Sequence, residues 1–279
     1  MASRFQNSRN RLDRAYVHYQ SFIAECSSVM DAKSASTEAR KDKRAGWHII
    51  SAKPTAECIE RMKASPLALQ LGEIAYQLRA ALDGLIWEAV SRTQGSEPTP
   101  DAKGLHRLEF PLSPIWKAAD IDQNRFHGFP FPQNLIDWMR SIQPGAADKP
   151  IGHPDYGLAN TLEDIHNLAR FDRHRRLRIV AVIPTDSSVE VVTDPPGGNI
   201  LAHEWIDCDL FNGKYDFLRL RAVAAGGLVP LNIRYKTKMT FEVWAEDMPR
   251  YDASDIGTHI GRFIQAVERV VVRFEEEFF

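Results

Sequence analysis

The sequence is poor in cysteine, and the cysteines that it has are far apart. Cys26, Cys58 and Cys208 form no CxxC pair, which excludes the usual zinc-ribbon and thioredoxin-like spacings. An odd number of distant cysteines also argues against a disulfide framework and indicates reduced thiols. We therefore interpret the three residues as small apolar side chains in a reducing compartment, and we expect a cytoplasmic location.

Long apolar runs and an excess of charge of one sign are also lacking. No run of about 18 apolar residues occurs, so we expect no transmembrane helix and no membrane partner. The basic first residues are followed by no apolar stretch, so we expect no secretory signal. Lys and Arg number 35 and Asp and Glu 37, and the net charge of −2 argues against a generally polycationic nucleic-acid binder.

The sequence lacks the glycine-rich and serine-centred motifs of several enzyme classes. Neither GxGxxG nor a GxxxxGK loop occurs, which excludes the common nucleotide-binding loops, and there is no GxSxG nucleophile elbow. Glu163-x-x-His166 matches half of a di-iron motif, but a carboxylate-rich partner motif is missing. We therefore expect no cofactor and no metal site.

Apolar residues at helical spacing predict five helices. They cover about 4–31, 65–92, 133–142, 157–174 and 252–275. The clearest begins at Ser65-Pro66, because a serine oxygen can accept an unpaired N–H of the first turn and proline has no N–H. Its apolar residues follow a three-four spacing that is typical of a buried face: Leu67, Leu71, Ile74, Leu78, Leu82, Leu85 and Ala89.

The pattern changes to β-branched and alternating residues after Arg178. Short strands from about 177 to 245, separated by turns such as DPPGGN at 194–199, predict an antiparallel meander. The apolar run at 47–52 is expected to be an isolated strand. The polar stretch at 34–44 is expected to be a loop or an exposed helix end.

This order of elements predicts an α+β fold, in which a helical bundle packs on an antiparallel β-sheet and a helix closes the chain. We expect a single α+β domain over 1–279. Residues 1–175 would be its mainly helical half, 176–250 the β-meander and 251–279 the C-terminal helix. The helices also offer faces through which oligomers could form.

Positive charge concentrates at the end of the helix predicted over 157–174. The segment EDIHNLARFDRHRRLR, 163–178, contains five Arg and two His in a chain that is negative overall. At 100° per residue, a helix that continues to residue 174 places four of its polar side chains on one face: Glu163, His166, Arg170 and His174. A His beside an Arg can move protons next to a bound phosphate. The candidate catalytic residues are His174, His166, Arg170 and Arg175.

Asp172 falls on the apolar face of the same helix, where a carboxylate needs a partner. Arg79 and Asp83 lie one turn apart on the helix that begins at Ser65, so we expect Arg79 to bond Asp172 and Asp83 to face His174 or Arg175. Such a pair either fixes the register of two helices or forms the wall of a site. The candidate binding residues are Arg79, Asp83, Asp172 and Asn167.

Three short motifs within roughly 65–180 carry a resemblance. They consist of Leu78, Arg79, Leu82 and Asp83 (LRxxLD), then Gln143-Pro144, then Asp172, His174 and Arg175 (DxHR). Together they resemble a family of uncharacterised bacterial proteins in which the first motif often reads LRSALDH and the last DKHR. Gly84 replaces the His, which removes a possible ligand group, and Arg173 replaces the Lys. The resemblance implies where a site lies and implies no activity.

Two functions remain open. The first is a cytoplasmic module that binds a ligand or partner through a polar His/Arg/Asp site between two helices. The second is a metal-independent ribonuclease or phosphodiesterase of toxin or defence type, which would use the same cluster. HEPN nucleases carry Arg-x4-6-His; Arg170-x3-His174 is one residue short of that spacing, and Arg11-x6-His18 matches it. The expected partner is RNA or a small anionic ligand.

Overall fold

A computed structural model describes most of the chain. The described residues are 5–29, 35–44, 46–98, 108–112, 121, 131–143, 149–174, 179–194, 199–205, 216–223, 232–245 and 256–279. Their helices are α1 (Gln6–Val29), α2 (Ala56–Ala64), α3 (Leu67–Gln94), α4 (Gln133–Ser141), α5 (Leu158–His174) and α6 (Ile256–Arg273). Their strands are β1 (Ala35–Lys41), β2 (Trp47–Pro54), β3 (Ile179–Asp194), β4 (Asn199–Trp205), β5 (Asp216–Val223) and β6 (Asn232–Ala245).

The chain divides into two compact units. The first consists of Met1–Ile23, Ala68–Leu177 and Asp247–Phe279, and it is helical in its described parts. The second consists of Ala24–Leu67 and Arg178–Glu246, and it holds β1 to β6 together with α2. The α+β class is confirmed, whereas the single domain over 1–279 stays a prediction.

The strands are antiparallel, but they do not form a meander. One sheet has the order β1-β2-β5-β4, and β3 pairs with β6 in a separate two-stranded ribbon. The predicted meander is therefore wrong, because β3 pairs with the last strand and β5 pairs with a strand from early in the chain. The expectation that 47–52 is an isolated strand is also wrong, since β2 lies between β1 and β5.

The polar stretch that was expected to be a loop or helix end forms β1. This strand lies at the edge of the described four-stranded sheet and pairs only with β2 in that sheet. Lys53 Nζ donates to Glu38 Oε2 at 3.0 Å, so an ion pair links the two strands on the exposed surface. A strand with one open side tolerates a charged sequence, and charge there discourages pairing with another chain.

The predicted face of α3 is buried along its whole length. Its seven apolar residues are at most 1% exposed: Leu67, Leu71, Ile74, Leu78, Leu82, Leu85 and Ala89. The predicted cap is also present, because Ser65 Oγ accepts the N–H of Leu67 at 3.3 Å. The bounds of α4 and α5 lie within one residue of those predicted.

Aromatic side chains fill the core of the first unit beside α6. Within the described residues this helix spans Ile256–Arg273 and continues as a π-helical turn, Phe274–Phe278. Phe274 is fully buried, and five rings surround it with centroid distances of 5.9–6.3 Å: Phe5, Phe110, Trp138, Phe278 and Phe279. Among the helices of the described segments, none combines the length and the apolarity that crossing a bilayer requires.

Candidate functional site

Arg79 and Asp83 pair within α3. Arg79 is 5% exposed, and its Nε donates to Asp83 Oδ2 at 3.2 Å while Nη2 lies 2.8 Å from Oδ1. The carboxylate therefore accepts a hydrogen bond from Nε and makes a close ion-pair contact with Nη2 of the same guanidinium group. The expected partner Asp172 lies in α5, but its side chain is outside the described residues, so that contact stays a prediction.

The backbone of Phe110 completes this cluster. Its N–H donates to Asp83 Oδ1 at 2.9 Å, and its carbonyl oxygen accepts from Arg79 Nη2, also at 2.9 Å. A segment without regular structure is thus fixed to α3 by both of its backbone polar groups, which burial would otherwise leave unsatisfied. Sequence reasoning missed Phe110, because neither its side chain nor its spacing marks a backbone contact.

His166 joins α5 to the same cluster. Arg79 Nη1 donates to His166 Nδ1 across 3.4 Å, a long and weak hydrogen bond. Since an arginine can only donate, this contact favours the neutral imidazole with its proton on Nε2. We define Arg79, Asp83, His166 and the Phe110 backbone as the arginine clamp.

The other predicted site residues fall into two groups. Asn167 is half-buried and Arg170 is exposed, and both lie on α5. His174 also lies on α5, but its side chain is outside the described residues, and Arg175 is outside them entirely. The predicted contacts of Asp83 with these two residues therefore stay predictions.

The packing of α1 on α3 explains why position 84 is a glycine. A Cβ added at Gly84 would lie 2.9 Å from Ser8 Oγ of α1, which is closer than real Cβ contacts. That hydroxyl donates to Glu88 Oε2 at 2.8 Å, and Ser8 is fully buried. A His at this position would force α1 away from α3.

Gln143, the second motif of the resemblance, is buried at the end of α4. Its Nε2 donates to the Met139 carbonyl oxygen at 2.9 Å, and Gln143 is 0% exposed. Pro144 lies outside the described residues. In its described contacts Gln143 closes the last turn of α4.

Burial dominates the electrostatics of Asp83. It raises the pKa of this carboxyl above 3.8, and the nearby Glu109 raises it further, while Arg79 and the Phe110 N–H lower it only in part. The protonated form is therefore favoured by folding. The contribution of the Asp83 proton to the free energy of unfolding is fully present below the pKa of Asp83 in the unfolded chain. It is lost as the pH rises through the pKa of Asp83 in the folded protein.

We expect Asp83 in the folded protein to take up its proton at a higher pH than an aspartate in the unfolded chain. A carbon-13 NMR titration of the side-chain carboxyls, with D83N to assign the resonance, measures this midpoint directly. A midpoint at or below 3.8 would contradict the dominance of burial.

A separate cleft lies between α5 and α6, on another face of α5. Its volume is about 510 Å³, and its polar lining residues are Tyr156, Asn160, Thr161, Asp164, His259, Arg262, Gln265 and Arg269. His259 is 5% exposed.

Positive charge prevails in this cleft. Arg262 and Arg269 are both exposed and face one carboxylate, Asp164. The first turn of α5 supplies part of the wall, and helix N-termini favour negative charge. Gly157 (φ +68°) turns the chain into α5, and its carbonyl oxygen accepts from the N–H of Thr161 at 3.1 Å.

The spacing of polar residues on α6 is a sequence signal for this cleft, and it lies outside the charged segment 163–178. His259, Arg262 and Arg269 lie within about 80° of one another on α6, on a helix whose other face is apolar. On α5, Asp164 lies about 160° from His166. The helix thus presents His166 to the arginine clamp and Asp164 to the cleft.

A second cleft of about 710 Å³ lies beside α6. It is lined by Trp138, Pro154, Asp155, Leu158, Gln265, Glu268, Arg269, Val272, Arg273, Glu276 and Glu277. Arg273 Nη1 donates to both oxygens of Asp155 at 2.8 and 2.7 Å, and Trp138 Nε1 donates to Asp155 Oδ2 at 3.3 Å. These bonds fix one wall of the cleft.

In the described part of the chain, no group of three or more His, Cys, Asp or Glu side chains is arranged to hold a metal ion. Comparisons with models of known protein families, with curated proteins and with solved structures found no match. The resemblance to the bacterial family stays a prediction, carried by its three short motifs. The chemistry of the two clefts is therefore the guide to function.

Proposed function

We propose that this protein is a ligand-binding module and that a small anionic ligand binds in the cleft between α5 and α6. One observation carries the proposal: the cleft is lined by two exposed arginines, Arg262 and Arg269, against the single carboxylate of Asp164. Its volume of about 510 Å³ falls within the range of roughly 300–1,000 Å³ that is usual for small-molecule sites.

The chemistry of the lining supports an anion. Arginine presents several N–H donors in one plane, which matches the oxygens of a carboxylate or phosphate. Asn160 and Thr161 add neutral polar groups near the first turn of α5, where the helix dipole favours negative charge. His259 adds an imidazole that is largely screened from solvent.

The arginine clamp is proposed to position α5 rather than to bind the ligand. The guanidinium group of Arg79 is buried and already contacts Asp83, His166 and the Phe110 carbonyl oxygen. A ligand would have to replace these partners. We propose a cytoplasmic location for this activity, in keeping with the distant cysteines of the sequence.

The exposed arginine Arg262 tests the proposal. We expect inorganic phosphate and hexanoate to bind saturably, with dissociation constants on the order of 1 mM. R262Q should weaken both by roughly tenfold, because it removes one charge-assisted contact from the cleft. Backbone NMR shifts at His259 and Thr161, followed at constant ionic strength, measure the binding and its place.

Arg14 offers a matched control. It is an exposed arginine on α1 that does not line the cleft, so R14Q should bind both anions as the wild type does. Equal weakening by R14Q and R262Q would mean that the anions respond only to net charge. That result, or the absence of saturable shifts at His259, would contradict the proposed function.

Metal-independent cleavage of RNA stays the alternative proposal. It is favoured by the contact between Arg79 and His166 Nδ1, which leaves the proton on Nε2 of a histidine that lies one helical turn before the exposed Arg170. The candidate residues His174 and Arg175 would complete that site. Cleavage of RNA in the presence of a chelator, lost in H174A at unchanged stability, would favour the alternative.

A further inference from the structure

The two clefts beside α6 are neighbours. Gln265 and Arg269 line both of them, so the clefts meet along one stretch of the helix. All the lining residues belong to the first compact unit. A single extended ligand could therefore occupy the two clefts together.

The two clefts differ in charge. The smaller one has two arginines against Asp164, whereas the larger one has four carboxylates against Arg269 and Arg273. Arg273 is engaged by Asp155, and its Nε donates to Glu277 Oε2 at 2.8 Å. Acidic charge therefore prevails in the larger cleft, most clearly at Glu268 and Glu276.

Glu268 and Glu276 are the uncompensated part of that charge. Both are exposed, and within the described segments neither takes part in a hydrogen bond or an ion pair. Glu268 acts on Arg9 only through the longer-range field, and Arg9 itself is paired with Glu275. A cationic group in the larger cleft would therefore find two available carboxylates.

Part of the wall of the larger cleft is apolar. Trp138 is 7% exposed and Leu158 1% exposed, and Pro154 and Val272 lie beside them. The guanidinium carbon of Arg273 lies over the Trp138 ring, 5.0 Å from its centroid. This lining suits a hydrocarbon segment between two charged ends.

We infer that the ligand is a small zwitterion with an apolar middle. Its acidic group binds at Arg262 and Arg269, and its cationic group binds at Glu268 and Glu276. This inference rests on the proposed function, because it takes the anion site between α5 and α6 as one end of the ligand. The class includes ω-amino acids and short peptides with free termini.

Three probes of equal chain length separate the contributions: 6-aminohexanoate, hexanoate and hexylamine. We expect 6-aminohexanoate to bind about tenfold more tightly than hexanoate, since it adds one charge-assisted contact. The double variant E268Q/E276Q should remove this advantage, so that 6-aminohexanoate and hexanoate bind with equal affinity. Backbone NMR shifts at Trp138 and His259 report the two ends separately.

The outcomes distinguish the inference from the proposed function. Equal affinity for hexanoate and 6-aminohexanoate, with hexanoate still shifting His259, would overturn the inference and leave the anion site intact. Absence of saturable binding by all the acidic probes would overturn both. Binding of hexylamine as tight as that of 6-aminohexanoate, unaffected by R262Q, would also overturn the zwitterion.

Discussion

R79M should lower the free energy of unfolding by about 3 kcal/mol, because it breaks a largely buried ion pair and leaves two further groups without their donor. Arg79 is 5% exposed, and it donates to Asp83 and to the Phe110 carbonyl oxygen. Methionine fills a similar volume and supplies no donor, so the loss of packing is small. The side chain of Asp83 is 27% exposed, so the expected loss of stability is at the lower end of the range for broken buried ion pairs.

Two further variants identify the cause of this effect. R79K keeps the charge but has a single nitrogen, which cannot reach Asp83, His166 and the Phe110 carbonyl oxygen together, so it should recover less than half of the loss. R14M on the exposed face of α1 should change stability by about 0.5 kcal/mol or less. Urea denaturation measures all three. Full recovery by R79K would show that charge alone matters and that the fork geometry does not.

The helices could be predicted closely because their signals are local. The buried face of α3 is set by apolar residues within a few turns of one another, and its Ser65 cap depends on a neighbour two residues on. The same is true of α4, whose predicted and observed bounds differ by one residue. Burial of one helix face is a periodic property of the sequence itself.

The pairing of the strands could not be predicted in the same way. β2 pairs with β5 across more than 160 residues, and nothing in the local pattern of either strand specifies that partner. β1 carries a polar sequence that favours a loop, and it becomes a strand because β2 offers an open edge. Tertiary pairing overrides local preference here.

The candidate site also combines local features, which the sequence predicts, with tertiary contacts, which it does not. The pairing of Arg79 with Asp83, one turn on, is a local feature, whereas the contacts of both residues with the Phe110 backbone depend on where a distant segment without regular structure lies. The charge at 163–178 marks the His166 face of α5. The cleft on the face of Asp164 depends on where α6 packs, which the sequence pattern of α5 alone does not contain.

F274A should be the other highly destabilising change, with a loss of about 3–5 kcal/mol. Phe274 is 0% exposed, and removal of its ring opens a cavity among the aromatic side chains of Phe5, Phe110 and Trp138. The aromatic pairs of Phe274 stabilise the fold beyond the contribution of its buried apolar area, so small shifts of the neighbouring rings cannot restore the lost stability. Urea denaturation gives the change, and F278A is the matched control.

Phe278 is only half-buried, so F278A should cost clearly less than F274A. Equal costs would mean that the cluster collapses around either vacancy and that Phe274 is not its centre.

Phe110 links this cluster to the arginine clamp, because its backbone is held by Arg79 and Asp83 while its ring lies 6.2 Å from that of Phe274. R79M and F274A should therefore be less than additive, since each loosens the same residue. Strict additivity in the double variant would show that the clamp fixes the Phe110 backbone without placing its ring.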